Sequence, residues 1–206
     1  MTRAEQDGAP ELAGPRHHGN RWGRSEQARQ AVLEAADDLL AERGFAGVTI
    51  EGIATAAGVA KQTIYRWWNS KTDILMDALL QDAAEALTPP DHADFREALG
   101  DQLSRVAAFL TRTDAGAVCR ALIGQAQHDA GTARALRQRY FEPQRRAERG
   151  LLERGVTSGE LSGPFDVDAA LDALCGPIVY RALMGTPVPR RFVDGLVADV
   201  LGPHRG

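Results

Sequence analysis

Apolar residues recur at helical spacing through most of the chain. Between residues 32 and 40 they occupy i, i+4, i+7 and i+8, which is the stripe of an amphipathic helix. These positions are Val32, Ala36, Leu39 and Leu40. The same periodicity continues beyond Pro90 to the end of the chain, and no stretch alternates apolar with polar residues as a half-buried strand does. The pattern therefore predicts an all-α protein.

Signals that begin and end helices divide the chain. Residues 1–23 are rich in Gly, Pro and charge and lack apolar periodicity, so we expect a disordered N-terminal arm. Ser25 is placed to cap the first helix, which Gly44 ends. Ser70 is placed to cap a helix over 71–87, since prolines follow at 89 and 90. The predicted domains are therefore 24–70 and 71–206, joined by the connector helix 71–87.

The second domain is predicted to continue as a series of helices. The periodic stretches are 95–110, 118–129, 132–154, 166–184 and 189–201. Pro143 must kink or split the third of them, because its ring cannot donate the backbone hydrogen bond of a helix interior. Gly176 and Pro177 should break or bend the fourth.

The segment between Glu51 and Asp73 has an unusual charge pattern. The protein is acidic, with a net charge of −4 and a pI of about 5.7. This segment nevertheless contains no carboxylate, and it holds both of the chain's lysines, Lys61 and Lys71, together with Arg66. An acidic chain that concentrates its lysines in one acid-free stretch is expected to have built a local anion-binding face there.

The same segment reads as two short helices joined at Gly58, where a tight turn favours glycine. The second helix has an apolar stripe at i, i+4, i+7 and i+8, formed by Ala60, Ile64, Trp67 and Trp68. The opposite face carries an amide, a phenol and two cations, from Lys61, Gln62, Tyr65 and Arg66. Such a face suits base edges and phosphates in the major groove of DNA, which predicts a helix-turn-helix. The alternative is an ordinary αα-hairpin with a solvated charged face.

A family resemblance follows from these residues. The run VAKQTIYRWWNSK, residues 59–71, resembles the recognition-helix signature of the TetR/AcrR repressors, V-S-x-x-T-[LI]-Y-x-[HY]-F-x-[SN]-K. It departs from that signature at Ala60, Trp67 and Trp68. The resemblance implies an N-terminal three-helix DNA-binding domain and a C-terminal helical domain for ligand binding and dimerisation. It also implies a regulator, most often a repressor, that binds a palindromic operator in double-stranded DNA as a homodimer and responds to a small-molecule effector.

Candidate DNA contacts follow from the helix-turn-helix and its flanks. Lys61, Gln62 and Thr63 are expected to read bases, while phosphate contacts are expected from the hydroxyls and cations around them. Trp67 offers only its indole N–H. The basic end of the arm adjoins this unit and can reach phosphates or the minor groove. The remaining predicted contacts are Thr49, Tyr65, Arg66, Lys71, Arg21 and Arg24.

Two further sets of residues are predicted for the second domain. Apolar and aromatic side chains are expected to line an effector pocket: Phe109, Cys119, Leu122, Ile123, Tyr140, Phe141, Cys175, Tyr180 and Met184. In the family's arrangement the last two helices pair with those of a second subunit. The expected interface residues are Leu171, Leu174, Ile178, Phe192, Leu196 and Val200. The alternative is that these helices only close their own core.

Other classes of function have weaker support in the sequence. No motif of a hydrolase, phosphate-binding loop or zinc enzyme is present, so we expect no enzyme, metal or cofactor. Cys119 and Cys175 lie too far apart for a zinc motif, but they leave open a redox-sensing regulator. A helical small-molecule-binding or catalytic protein with a vestigial DNA-binding head is a further alternative. The chain lacks a secretory signal and a bilayer-length apolar run, so we expect a cytoplasmic protein without a membrane partner.

Overall fold

The computed structural model describes residues 19–88, 94–161 and 165–202. Within these residues the chain is helical, as the apolar periodicity predicts. The elements are α1 (Gly19–Gly47), α2 (Ile50–Ala56), α3 (Lys61–Tyr65), α4 (Lys71–Ala86), α5 (Phe95–Arg112), α6 (Asp114–Ala126), α7 (Ala130–Leu136), a π-helical turn (Arg137–Phe141), α8 (Glu142–Thr157), α9 (Val167–Leu183) and α10 (Arg190–Leu201).

Helix α1 starts earlier than the sequence predicts. It begins at Gly19, so Ser25 lies inside the helix rather than at its N-cap, and the end of the predicted arm belongs to α1. The rest of the arm, residues 1–18, lies outside the described residues. Near its other end, α1 kinks at Gly44, whose φ of 64° and ψ of 173° are not helical. The predicted stop is therefore present as a kink, after which the chain turns towards α2.

The turn between α2 and α3 has the geometry that the sequence predicts. Gly58 has a φ of 65°, in the left-handed region that L-residues with a Cβ avoid. Thr49 caps α2, because its Oγ1 accepts the Gly52 amide at 3.0 Å. Ile53, Ala54 and Ile64 are buried in the core, where α2 packs against α1 and α3. Helices α1 to α3, with the start of α4, therefore form one head.

Gly58→Ala is expected to destabilise this head by about 1 kcal/mol, because it forces a residue with a Cβ into the left-handed region. A Cβ at position 58 would meet no atom within 4 Å, so backbone strain alone sets the cost. The measurement is urea unfolding of the full chain. Gly124→Ala in α6 is the matched control, because a Cβ there also meets no atom and the glycine is helical. That variant should gain about 0.5–1 kcal/mol from helix propensity. Equal effects of the two substitutions would contradict this account of the turn.

Helices α4 and α6 join the head to the remainder of the molecule. Both α1 and α4 pack against α6, while α5 lies at the centre of the second half and contacts α6, α8, α9 and α10. The buried face of α4 includes Ile74, Leu75 and Leu79, none of which is exposed. A movement of α6 therefore bears directly on the two longest helices of the head.

The helices of the second half differ from the predicted ranges in two places. The stretch 132–154 is split as Pro143 requires, but the irregular part is the π-helical turn Arg137–Phe141, and Pro143 lies in the first turn of α8. Helix α9 runs through Pro177 without a break. Asp166 caps α9 as its position predicts, accepting the amides of Asp168 and Ala169 at 3.0 and 3.1 Å. Among the described helices, none combines the length and apolar character needed to cross a membrane.

Candidate functional site

Helix α3 presents a polar face to solvent. Lys61, Gln62, Tyr65 and Arg66 are all exposed, and Tyr65 is 54% accessible despite its size. Ile64 on the opposite face is fully buried. The predicted division into an anchored back and a polar front is therefore present, with one correction. Ala60 is exposed at the N-cap of α3 and does not belong to the buried stripe.

The two tryptophans follow α3 and fix its end. Trp68 is only 3% exposed, and its indole N–H donates to Asp77 Oδ2 of α4 at 2.9 Å. Trp67 is half-buried and packs edge-on against Trp68, with ring centroids 5.4 Å apart. Trp68 therefore provides the packing that the family signature assigns to an aromatic residue at this position. It also ties the end of α3 to α4.

Lys61 has a carboxylate partner just outside the acid-free segment. Its ammonium lies 2.6 Å from Glu51 Oε1 on α2. The hydrogen bond from Lys61 lowers the pKa of Glu51, and the same contact raises the pKa of Lys61. Because both side chains are exposed, this pair adds little to stability. Its effect is to hold the Lys61 side chain beside α2 at the front of the head.

Lys71 has an internal role that the sequence does not reveal. Its ammonium donates to the carbonyl oxygens of Phe45 and Val48, at 2.6 and 2.9 Å, and lies 4.3 Å from the centre of the Phe45 ring. The last turn of α1 contains no basic residue of its own, so Lys71 supplies the cation at that helix end. One of its three N–H groups remains for another partner. Its phosphate contact stays a prediction.

The other predicted DNA contacts lie around the same face. Thr49 is exposed, and its hydroxyl proton remains available because Oγ1 acts as the acceptor in the cap of α2. Thr63 is half-buried on α3. Arg24 is exposed on α1, whereas the side chain of Arg21 lies outside the described part of the chain. The N-cap of α4 also forms as predicted, with Ser70 Oγ accepting the Asp73 amide at 3.2 Å.

Asp77 links the head to the second half of the molecule. Besides the Trp68 indole, it accepts Arg139 of the π-helical turn at 2.6 Å and lies 3.5 Å from Arg29 of α1. Burial alone raises the pKa of Asp77, but the hydrogen bonds from Arg139 and Trp68 and the two arginine charges outweigh it, so the pKa lies below its usual range. The carboxylate therefore stays ionised and holds three helical elements together.

The second half contains a cavity of about 360 Å³ between α5, the π-helical turn, α8 and α9. Such a volume lies at the lower end of the range for small-molecule sites. Its apolar walls are formed by Leu103, Val106, Leu110, Ile178 and Val179, with the ring of Phe141. The polar part of the lining comes mainly from α8.

The cavity gathers only some of the predicted effector residues. Tyr140, Phe141 and Cys175 line it. Phe109, Cys119 and Leu122 are instead buried in the core, where Phe109 stacks on Tyr140 with centroids 6.3 Å apart. Ile123 is half-buried against the core and does not line this cavity. Tyr180 and Met184 point to solvent, 65% and 59% exposed, so their assignment to the pocket is wrong.

The predicted interface residues also separate into two groups. Leu171, Leu174 and Ile178 are completely buried inside the single chain, so they close its own core and cannot form an interface surface. Phe192, Leu196 and Val200 on α10 are only partly buried. The interface prediction did not include the exposed apolar residues of α9 and its C-cap, which occur at helical spacing on one face: Ala169, Ala173, Tyr180, Leu183 and Met184.

The two cysteines are poorly suited to a redox switch. Both thiols are unoxidised, and Cys119 is buried. Burial raises the pKa of Cys119 to about 12, and burial with the neighbouring charge of Glu148 raises the pKa of Cys175 further above its usual value. A reactive cysteine needs a thiolate near neutral pH. The geometry therefore argues against the redox alternative.

One functional candidate was missed although it interrupts an otherwise apolar pattern. Glu148 lies on the buried face of α8 with Leu151, Leu152 and Gly155, at i, i+3, i+4 and i+7. An acid within such a stripe is a signal for a buried carboxyl group, and it was available in the sequence. No signal of this kind marks Asp77, whose partners come from distant parts of the chain. In the described parts of the chain, no group of His, Cys, Asp and Glu is arranged to hold a metal ion.

Comparison with known proteins agrees with this geometry. Residues 32–78 match the model of bacterial regulatory proteins of the tetR family, and residues 89–200 match the tetracyclin repressor-like C-terminal domain. An HTH-type transcriptional regulator of Bacillus subtilis, YdeS, is 40% identical over 177 residues, covering 85% of this chain and 89% of that protein. The repressor TetR of Mycobacteroides abscessus is 26% identical over 180 residues, covering 86% and 94%. The crystal structure of the TetR family regulator SCO0332 superposes with a TM-score of 0.69 at 35% identity, over 85% of this chain and 97% of that one.

Proposed function

Because this chain belongs to the tetR family of bacterial regulatory proteins, we propose that it is a repressor that binds a palindromic operator as a homodimer and is released by a small molecule. The observation that carries the proposal is the exposed front of α3, which combines an amide, a phenol and two cations on a helix anchored by Ile64 and Trp68. A protein of this kind acts on the chromosome, so we place it in the cytoplasm.

The residues of the head form two groups, those that can reach base edges and those that can reach phosphates. Lys61, Gln62 and Thr63 lie in the first turn of α3, the part of a recognition helix that meets base edges in the major groove. Around them, phosphate contacts are proposed for Tyr65, Arg66, Thr49, Lys71 and Arg24, with a secondary role for Trp67. Phosphate contacts set the register and the salt dependence of binding, while base contacts set its sequence preference.

Gln62→Ala and Arg66→Ala are expected to separate these two roles. Gln62→Ala should reduce discrimination between the operator and point-mutated operators by about 1–3 kcal/mol at the contacted base pair. Arg66→Ala should weaken binding to all duplexes and reduce the salt slope by about 1. Fluorescence anisotropy titrations of operator and random duplexes at several salt concentrations measure both effects. The same loss of sequence preference in both variants would contradict the assigned roles.

The proposed homodimer is supported by the apolar surface of α9 and α10. Tyr180 and Leu183 on α9 and Met184 at its C-cap are exposed, and Phe192 and Leu196 lie half-buried on the adjacent α10. A contiguous apolar surface of large side chains is typical of a protein interface. A second copy of this chain fits it, because two helices from each subunit form a self-complementary two-fold contact. The two recognition helices then read two half-sites of a palindrome.

The proposed route of release runs from the cavity to the recognition helix. Tyr140 and Phe141 of the π-helical turn line the cavity, while Arg139 of the same turn is bonded to Asp77 on α4. Asp77 in turn holds the Trp68 indole. A ligand that favours a different arrangement of this turn changes operator affinity by its differential binding to the two arrangements.

Arg139→Ala is expected to loosen the head without touching DNA. Removing this charged hydrogen bond from Asp77 should accelerate amide hydrogen exchange in residues 64–70 by about twofold to fivefold, which corresponds to the loss of a partly exposed ion pair. Arg134→Ala on α7 is the matched control, since Arg134 is also exposed and belongs to the same stretch of chain. Equal exchange rates in wild type and Arg139→Ala would contradict the proposed route.

A further inference from the structure

The charged side chains that line the cavity differ in whether a protein group of opposite charge neutralises them. Arg145 is paired with Asp172 at 2.6 Å and with Asp168 at 3.0 Å, and both aspartates lie on α9. Arg137 is paired with Glu142 at 2.8 Å. The two cations of the lining and one of its two acids are therefore already neutralised by protein partners. Glu148 is the remaining charged group.

Glu148 is a buried acid with a weak partner. It is 4% exposed, and its Oε2 accepts the thiol of Cys175 at 3.1 Å. A thiol is a poor donor for a carboxylate. None of the ion pairs among the described residues includes Glu148. Burial raises the pKa of Glu148 above its usual value, against smaller opposing effects of Cys175 and Arg145. Among the described residues, an ionised carboxylate at this position therefore has no cation at ion-pair distance, and the charge of Arg145 offsets the effect of burial only in part.

A second acceptor lies on the same wall. Gln144 Oε1 is buried and has no hydrogen-bond partner among the described residues, and Gln144 lines the cavity one helical turn before Glu148. A buried acceptor without a donor costs free energy that a bound donor group recovers. Apart from the paired charges, the polar lining thus holds two acceptors that lack strong donors, in a cavity that is otherwise lined by apolar side chains such as Leu103, Val106 and Val179.

We propose that the cavity takes an apolar molecule carrying a protonated amine, whose N–H groups donate to the Glu148 carboxylate and to Gln144 Oε1. This assignment rests on the effector role proposed above for the cavity, and it specifies the chemical class of the effector. An ammonium group supplies three donors and the missing positive charge, whereas an alcohol supplies one donor and no charge. A carboxylate supplies no donor and adds a second negative charge beside Glu148.

The test compares three probes that share a phenyl ring and a four-carbon chain and end in different polar groups: 4-phenylbutylamine, 4-phenylbutanol and 4-phenylbutyrate. Isothermal titration of the full-length protein at pH 7 should show the amine binding at least about tenfold more tightly than the alcohol, because a hydrogen bond to a charged group is worth about 1.5–3 kcal/mol. The butyrate should bind most weakly. An alcohol or butyrate that binds as tightly as the amine overturns the proposal, as does the absence of binding by all three probes at millimolar concentration.

Matched variants assign the preference to Glu148. Glu148→Gln should bring the affinities of amine and alcohol within about twofold of each other, which removes the tenfold preference. Glu142→Gln removes the same charge from the same cavity, but Glu142 is already paired with Arg137, so the amine preference should persist. Retention of the preference in Glu148→Gln overturns the proposal. If that variant does not fold, Glu148→Asp, which withdraws the carboxylate by one methylene, should bind the amine more weakly than wild type and the alcohol equally.

The same preparations separate this proposal from the proposed function. Each is titrated with the duplex flanking its own gene and with a random duplex. If the protein prefers the duplex from its own gene but does not select the amine, the proposed amine site is wrong and the proposed regulatory function is retained. If the protein selects the amine but shows no preference among duplexes, the proposed regulatory function is wrong and the proposed amine site is retained.

Discussion

Lys71→Ala is expected to lower the free energy of unfolding by about 2–3 kcal/mol, which is large for one partly exposed lysine. The substitution removes the donors to the Phe45 and Val48 carbonyls and the cation beside the Phe45 ring. Hydrogen bonds to charged groups contribute about 1.5–3 kcal/mol each, and water can replace part of that loss because the side chain is half-buried. Urea unfolding followed by circular dichroism measures the change.

The matched control is Arg66→Ala, which removes one cation from the same head. Arg66 is exposed and lies on the front of α3, so its loss should change stability by less than about 0.5 kcal/mol. The two variants should therefore have opposite profiles: Lys71→Ala mainly destabilises the protein, and Arg66→Ala mainly weakens DNA binding. A Lys71→Ala protein as stable as wild type would show that the ammonium does not hold the end of α1.

Asp37→Asn is expected to stabilise the protein at pH 8 and to have little effect at pH 5. Asp37 lies half-buried on α1, and its Oδ1 is buried without a hydrogen-bond partner among the described residues. Burial, together with the smaller effects of the charges of Asp82, Asp114 and Asp38, raises the pKa of Asp37 to about 7. The folded protein therefore holds a proton on this carboxyl group over a pH range in which the unfolded chain has lost it.

This shift has a definite sign. A carboxyl group whose pKa is raised on folding contributes stability at low pH, and that contribution is lost as the pH rises from the unfolded pKa, near 4, to about 7. Because Asp37 is partly exposed, solvent screening reduces the effect of the pKa shift. The increase in unfolding free energy from Asp37→Asn should therefore be about 1–2 kcal/mol larger at pH 8 than at pH 5. Thermal unfolding at the two pH values measures it. An equal effect of Asp37→Asn at both pH values would contradict this explanation.

Local rules predicted the head well because its turns and caps depend on nearby residues. Thr49 and Ser70 cap their helices through amides three residues away, and Gly58 provides a left-handed turn at a fixed place in a short motif. The exposed front of α3 follows from helical spacing alone. The family signature, residues 59–71, covers the front of α3 and Ser70, which explains why it is readable in one sequence.

The failures concern contacts between residues far apart in the chain. Lys71 reaches carbonyl groups more than twenty residues earlier, at Phe45 and Val48. Leu171 and Ile178 have the same apolar character as an interface residue, and only packing against α5 and α8 shows that they are internal. Tyr180 and Met184 were predicted to line a pocket because their apolar character does not distinguish an internal position from an exposed one. Periodicity identifies an apolar face but does not say whether its partner is another helix of the same chain or a second subunit.

The central proposal is that α3 reads a palindromic operator in a dimer. The most direct measurement is the selection of bound duplexes from a random pool by the full-length protein, followed by footprinting and determination of the mass of the complex. The expected result is an inverted repeat with two protected half-sites, bound by an even number of chains. The Gln62→Ala variant should no longer prefer that sequence. Recovered duplexes that share no sequence, or a single half-site bound by one chain, would contradict it.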